Sequence, residues 1–165
     1  RYIAASNVSP ERSIESFEVA EKNNYPKYVA LQPHYNLVER EKFEAEYAPI
    51  VEKFGLSVFP YWSLAAGFLT GKYRTEEDFE TTARGGGIKK YFDDKGKAVL
   101  AALDKVSEKH QSQPATVALA WLLANPLITA PIVSATSERQ LQTIFDAPKL
   151  ELGSEDLEIL NQASK

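Results

Sequence analysis

Cysteine is absent from this sequence, and its absence excludes disulfides, thiolate metal sites and a cysteine nucleophile. The same absence fits a reducing compartment, so a cytoplasmic location is expected. Histidine is scarce. His34 and His110 are the two imidazoles, and neither has a nucleophile pattern or a metal-ligand partner at useful spacing, so no metal site is expected. There is no basic surplus either. A formal net charge of -4 at pH 7 offers no electrostatic hold on a phosphate backbone or an anionic bilayer, so neither nucleic acid nor membrane is expected as a main partner. Long apolar runs are also missing: the longest, Ala115 to Ala124, is too short to span a bilayer and is followed by Pro126. The chain starts at Arg1 and runs straight into a strand-like segment, which reads as a cut N-terminus. What is present is 165 residues with 44% hydrophobic content, enough for one globular domain or a large piece of one.

Hydrophobic periodicity divides the chain into repeated strand and helix units. Tyr2 to Ala5 predicts a strand, and Ser9 and Pro10 open a helix carrying Ile14, Phe17 and Val19. Tyr28 to Leu31 predicts a second strand. From about Glu39 a helical face combines Phe43, Tyr47, Ile50, Val51 and Phe54, with Gly55 as its stop. Leu56 to Phe59 is a third strand, and Gly96 to His110 a third helix after a long loop in which Asp93 and Asp94 read as solvated. The segment Pro114 to Asn125 is apolar nearly all round and should be a buried helix. A fourth strand is expected at Ile128 to Val133, followed by a helix through Gln140 to Phe145 and a terminal helix capped by Ser154. Short strands alternating with helices require parallel pairing, so the class is α/β. Four units suit either a small open sheet or half of an eight-stranded barrel, and in both a ligand sits at the C-terminal strand ends.

Those ends are polar. They read Ser6-Asn7, then Gln32-Pro33-His34-Tyr35, then Tyr61-Trp62-Ser63-Leu64 running on through Gly67 and Gly71 to Lys72, and finally Ser134-Ala135-Thr136-Ser137 entering a helix. Ser6, Asn7 and Gln32 have the donors and acceptors that a carboxamide needs. The two glycines, with Lys72 and Arg74, could approach a pyrophosphate, and Arg84 beside a glycine run could anchor an anion. Ser134 to Ser137, with Arg139 and Gln140 just beyond, present a helix start to a phosphate. His34 lies at the rim of this region, and His110 ends a helix as a capping or surface residue.

The order S-N, Q-P-x-Y, Y-x-x-L-x-x-G-x-L-T-G-K and a last strand entering a helix through small polar residues resembles the second half of the aldo-keto reductases, over essentially the whole chain. Ala5 departs from the glycine usual before S-N in that family. The resemblance implies strands five to eight of a (β/α)8 TIM barrel, so that residues 1–165 form a partial barrel domain, its cofactor-binding half. It implies a nicotinamide dinucleotide, NADP with NAD possible, held by Ser6, Asn7, Gln32, Tyr61, Trp62, Ser63, Leu64, Gly67, Lys72, Arg74, Arg84, Ser134, Ala135, Thr136, Arg139 and Gln140. Tyr61 matches the aromatic that stacks on the nicotinamide, whereas Trp62, where many relatives have serine, either walls the pocket or packs outward.

The same resemblance implies NADP(H)-linked reduction of an aldehyde or ketone. The family's proton-donating tyrosine, with its lysine, aspartate and histidine, belongs to the first half of the barrel, so this chain alone is expected to be inactive. Its open edges are expected to meet that missing N-terminal half or a second copy. Two other readings are a non-catalytic nucleotide-sensing or interaction subunit on the same fold, as in potassium-channel β-subunits, and a barrel lyase or isomerase acting on sugar phosphates. The latter needs a lysine or glutamate base at a strand end, and none of the four ends has one.

Overall fold

The computed structural model describes residues 1–75, 77–80 and 85–165. Three strands, β1 (Ile3–Ser6), β2 (Tyr28–Gln32) and β3 (Ser57–Val58), pair in parallel in the order β1-β2-β3. Among the described residues eight α-helical segments accompany them: α1 (Pro10–Asn23), α2 (Ala48–Phe54), the single turns α3 (Glu77–Glu80) and α4 (Gly85–Ile88), then α5 (Asp94–Lys109), α6 (Pro114–Ala124), α7 (Glu138–Asp146) and α8 (Ser154–Ala163). Among the described residues no helix is long and apolar enough to cross a membrane.

Helix α1 starts where the sequence places it, because the Ser9 hydroxyl accepts the Arg12 N–H and Pro10 occupies the first turn. Phe17 is buried from this helix, stacked on Phe54 at 4.0 Å between centroids and edge-on to Tyr28. Val19 does not share that face. At about 100° per residue it lies roughly 200° round from Phe17, and it is exposed.

The second helix is broken by a π-helical turn, Phe43–Tyr47, in which the Ala48 N–H reaches back to the Phe43 carbonyl. Pro49 has no N–H to give and its ring crowds the carbonyl four residues earlier, so the turn widens by one residue before α2 begins. Phe43, Tyr47, Ile50 and Val51 stay buried through the change. Gly55, at φ 62°, closes α2 in the left-handed region where glycine is unstrained.

The strand register gives the sheet two faces. Ala5, Leu31 and Val58 lie on one and are buried with Phe17 in the core. Ala4, Ala30 and Ser57 lie on the other, and the pairing continues along it to the His34–Tyr61 bridge. The fourth expected strand is present in position but not in pattern. Thr129 and Ala130 both donate to the Val58 carbonyl, Ile132 donates to the Pro60 carbonyl, and the Thr129 hydroxyl accepts the Val58 N–H at 3.0 Å. A side chain thus replaces one backbone acceptor, and Pro131 lacks a donor, so residues 128–133 run beside β3 without forming a regular ladder.

Helix α6 is buried continuously from Ala115 to Leu122, as its all-round apolar sequence requires. Two capping expectations are corrected. Asp93 is exposed, but it is more than a loop residue: its carboxylate accepts the Gly96 N–H at 2.7 Å and caps α5. Ser154 is the first residue of α8, whereas Gly153 is its cap, with the Gly153 N–H bonded back to Asp156.

Asp156 is buried, and it also takes Lys109 Nζ at 2.7 Å and His110 Nε2 at 2.8 Å, tying the end of α5 to the start of α8. Burial pushes its pKa up, but the bonds from Lys109, His110 and the Gly153 N–H outweigh this and hold it at about 2. A carboxyl held below its unfolded value stabilises the fold fully above that unfolded value, near 4, and loses this stabilisation as pH falls toward 2. Asp156→Ala is therefore expected to cost roughly 2–3 kcal/mol at neutral pH. Denaturant melts of both proteins between neutral pH and about pH 2 should converge; a constant gap would refute the ionic origin.

Candidate functional site

The ends of β1, β2 and the β3 segment converge on Tyr61. Its N–H donates to the Pro33 carbonyl at 2.9 Å, and its hydroxyl donates to Asn7 Oδ1 at 2.9 Å. The His34 ring stacks against it at 5.4 Å between centroids and 14° between planes. One ring face is therefore occupied from within the chain. Asn7 sits at φ 56°, and Trp62, Ala65 and Ala66 are also left-handed, so among the described residues four of the six non-glycine positions with positive φ gather at the ends of β1 and β3. Strain concentrated in this way marks a site whose geometry the surrounding fold imposes.

The Ser6 hydroxyl donates to the Gln32 carbonyl at 3.2 Å, so the first two strand ends are also linked. Asn7 Oδ1 is filled by the tyrosine hydroxyl, which leaves its amide as a donor. His34 and Asn36 are the residues that sequence reasoning passed over or left at the rim. Burial pulls the His34 pKa down, against the opposing charge of Glu39 and with that of Lys90. Asn36 is completely buried and bonds to the Trp62 carbonyl, while Tyr35 anchors the turn below through Glu44 and Asn125. The signal for Asn36 was local: an asparagine whose side chain accepts N–H groups two and three residues on is an Asx turn.

From Tyr61 a groove of about 1490 Å³ runs past the turn after β3 and the start of α6 and along α7 as far as Leu150. It brings together Tyr61, Trp62, Ser63, Leu64, Gly67, Lys72, Ser134, Thr136, Arg139 and Gln140 from the expected set. Trp62 is half exposed along it, its ring edge-on to His34 at 5.6 Å. Ser63 is buried, its hydroxyl 3.0 Å from both the Pro60 and Ile132 carbonyls, so it joins the β3 end to the last extended segment. At the far end Ser137 caps α7, and the Gln140 side chain receives the Thr136 N–H and hydroxyl. His110 and Thr116 also line the groove, where neither was expected.

Other expected residues stand apart. Ser6, Asn7, Gln32 and Ala135 do not line the groove, although Asn7 touches it through Tyr61. Arg74 is bonded through both terminal nitrogens to Asp104, at 2.8 and 2.7 Å, and its Nε donates to the Gly71 carbonyl. The N–H groups of Gly67 and Gly71 donate to the Leu64 and Phe68 carbonyls, so within this turn they are already used. Lys72 and Arg139 form no salt bridge with a described residue, and they are the groove's cations without a carboxylate partner there. Arg84 lies outside the described residues.

An uncharacterized oxidoreductase of Bacillus subtilis is 32% identical over 161 residues, covering 97% of this chain and 48% of its own length. Two proteins named as aldo-keto reductases, both from Alternaria alternata, are 31% identical over 166 residues (99% of this chain, 44% of the relative) and 29% over 156 residues (94% and 42%). The chain spans about half the length of the relatives it matches. The sequence model of the Aldo/keto reductase family matches residues 1–165, and with the strand-end constellation around Tyr61 this makes the chain a member of the aldo/keto reductase family.

Proposed function

We propose that this chain forms the cofactor-binding half of a (β/α)8 barrel oxidoreductase that reduces aldehydes or ketones with NADP(H). The observation that carries the reading is the continuous groove from Tyr61 to Arg139 and Gln140. At about 1490 Å³ it leaves room for an extended ligand. Its residues fit that group by position: an aromatic at one end, Lys72 in the middle and a capped helix start with Arg139 at the other.

In this reading Tyr61 receives the nicotinamide on the ring face that His34 leaves open, and the Asn7 and Gln32 amides orient its carboxamide. The bound dinucleotide supplies the hydride. Tyr61 and Trp62 present apolar surface that excludes water from that end, and Lys72 and Arg139 hold phosphate charge. The proton donor belongs to a first half of the barrel, so residues 1–165 alone are inactive. A titration of the full-length protein with NADPH and NADH tests both the binding and the preference. Charge-assisted contacts of roughly 1.5–3 kcal/mol from Arg84 and Arg139 to a 2'-phosphate correspond to about 10- to 100-fold tighter NADPH binding. Equal dissociation constants would remove the preference, and its survival in the Arg84→Ala, Arg139→Ala double variant would relocate it. Tight binding without carbonyl reduction would favour the nucleotide-sensing subunit.

The other half of the barrel, or failing that a second copy, would cover the apolar groups that face water here. Ile3 is exposed on β1, the outer strand of the sheet, with Tyr2 just before it, and Ile132 is exposed on the last extended segment beside β3. These are the two edges that barrel closure would pair. Light scattering on residues 1–165 expressed alone should therefore show self-association or aggregation. A cooperatively melting monomer of 18.4 kDa would refute the half-barrel.

A further inference from the structure

Asn36 has no exposed surface, yet its carboxamide uses both ends. Oδ1 accepts the Val38 and Glu39 N–H groups at 3.0 and 3.1 Å, and Nδ2 donates to the Trp62 carbonyl at 2.9 Å. These partners are backbone groups of fixed polarity, so the orientation of the amide is determined. The same Nδ2 lies 3.3 Å from His34 Nε2. Since Nδ2 can only donate, Nε2 must accept, and a neutral His34 carries its proton on Nδ1. Protonating the ring would set two N–H donors against each other. His34 is in turn the ring stacked on Tyr61, and the Trp62 carbonyl belongs to the residue after it.

We propose that Asn36 is a positioning residue: its buried carboxamide holds His34 as the neutral, Nδ1-protonated imidazole and, through that ring and the Trp62 carbonyl, fixes the plane of Tyr61. The charged groups facing His34 are Glu39 and Lys90, and they are bonded to each other at 2.7 Å, so Glu39 is diverted from the imidazole. The turn 36–39 thus works as a clamp on the aromatic end of the groove that is intact while His34 is neutral. The consequence for turnover rests on the functional reading above, whereas the tautomer does not.

The test is the ¹⁵N imidazole spectrum of the full-length protein, with the His34 signals assigned by their loss in His34→Gln. The expected wild-type result is the Nδ1–H tautomer at neutral pH, titrating below the ordinary imidazole value. Asn36→Asp keeps an acceptor for Val38 and Glu39 but replaces the donor facing Nε2 with an acceptor. It should move the ring proton to Nε2 and raise the midpoint by about one unit or more, a tenfold gain in proton affinity. Below that new midpoint kcat for carbonyl reduction should fall about tenfold, with the dinucleotide Kd changed less than about threefold. Adding His34→Phe, which keeps a flat partner for Tyr61 and removes the titrating nitrogens, should abolish that pH dependence.

An Nε2–H tautomer in the wild type, or a midpoint unmoved by Asn36→Asp, would overturn the proposal. A kcat unchanged by Asn36→Asp across the pH range would overturn it too, because neither the imidazole nor the Trp62 carbonyl would then control the plane of Tyr61. The wild-type spectrum decides the imidazole assignment even if Asn36→Asp does not fold. A wild-type protein that binds no dinucleotide sinks the functional reading separately, without touching that spectrum.

Discussion

On the proposed function, Tyr61→Ala in the full-length protein lowers kcat by about 10- to 100-fold and weakens dinucleotide binding by less than about tenfold. The asymmetry follows from where the binding groups lie. A stacking contact is worth ~0.5–1.5 kcal/mol beyond its area, so its loss limits the change in affinity while the far end of the groove still holds phosphate charge. Turnover depends instead on where the ring is held, and a displacement of about 1 Å can cost 100-fold. The variant also frees Asn7 Oδ1 and exposes the His34 face, so the proposed nicotinamide end loses its orienting surface and the Asn7 amide loses the bond that fixes it. Tyr61→Phe separates the two effects, because it keeps the ring and removes only the bond to Asn7. Steady-state rates and equilibrium titration on both variants check this. If Tyr61→Ala leaves kcat unchanged, the assignment of Tyr61 to the nicotinamide fails.

The sequence made the large features legible because they are periodic. Helix α6 needed only an unbroken apolar run, and its burial from Ala115 to Leu122 follows. The strand ends were legible because polar residues directly after short apolar runs have no packing reason to be there, and the groove gathers ten of the sixteen residues so named. Features set by single donors and acceptors were not legible. The π-helical turn depends on the N–H that Pro49 lacks, and the irregular last strand depends on the hydroxyl of Thr129 taking the place of a carbonyl. Arg74 reads as a phosphate ligand from sequence, but Asp104, thirty residues away, takes both of its terminal nitrogens. His34 and Asn36 carry no periodic signal, since their importance comes from contacts across the strand ends to Tyr61 and Trp62.

Gly96→Ala should destabilise the protein by about 3 kcal/mol or more, despite a gain of roughly 1 kcal/mol in helix propensity. Gly96 is buried in the first turn of α5, where a Cβ would be driven into the Tyr91 backbone carbonyl and would lie 3.0 Å from the Phe68 ring. The helix start cannot easily shift, because Asp93 fixes the Gly96 N–H. Nor can the carbonyl easily swing away. Tyr91 and Phe68 are both buried and in contact at 5.8 Å between centroids, so moving the backbone of 89–91 disrupts core packing. Phe68 belongs to the 3-10 turn Ala65–Thr70 that contributes Gly67 and Thr70 to the groove, so the strain is expected to reach the groove as well. Gly87→Ala is the matched control: an added Cβ there meets nothing within 4 Å. Its melting midpoint should stay at or slightly above that of the parent. Equal midpoints for Gly96→Ala and Gly87→Ala in a thermal melt would show that the contact between α5 and the 89–91 turn yields easily. In that case the close approach of Tyr91 would not be what requires glycine at position 96.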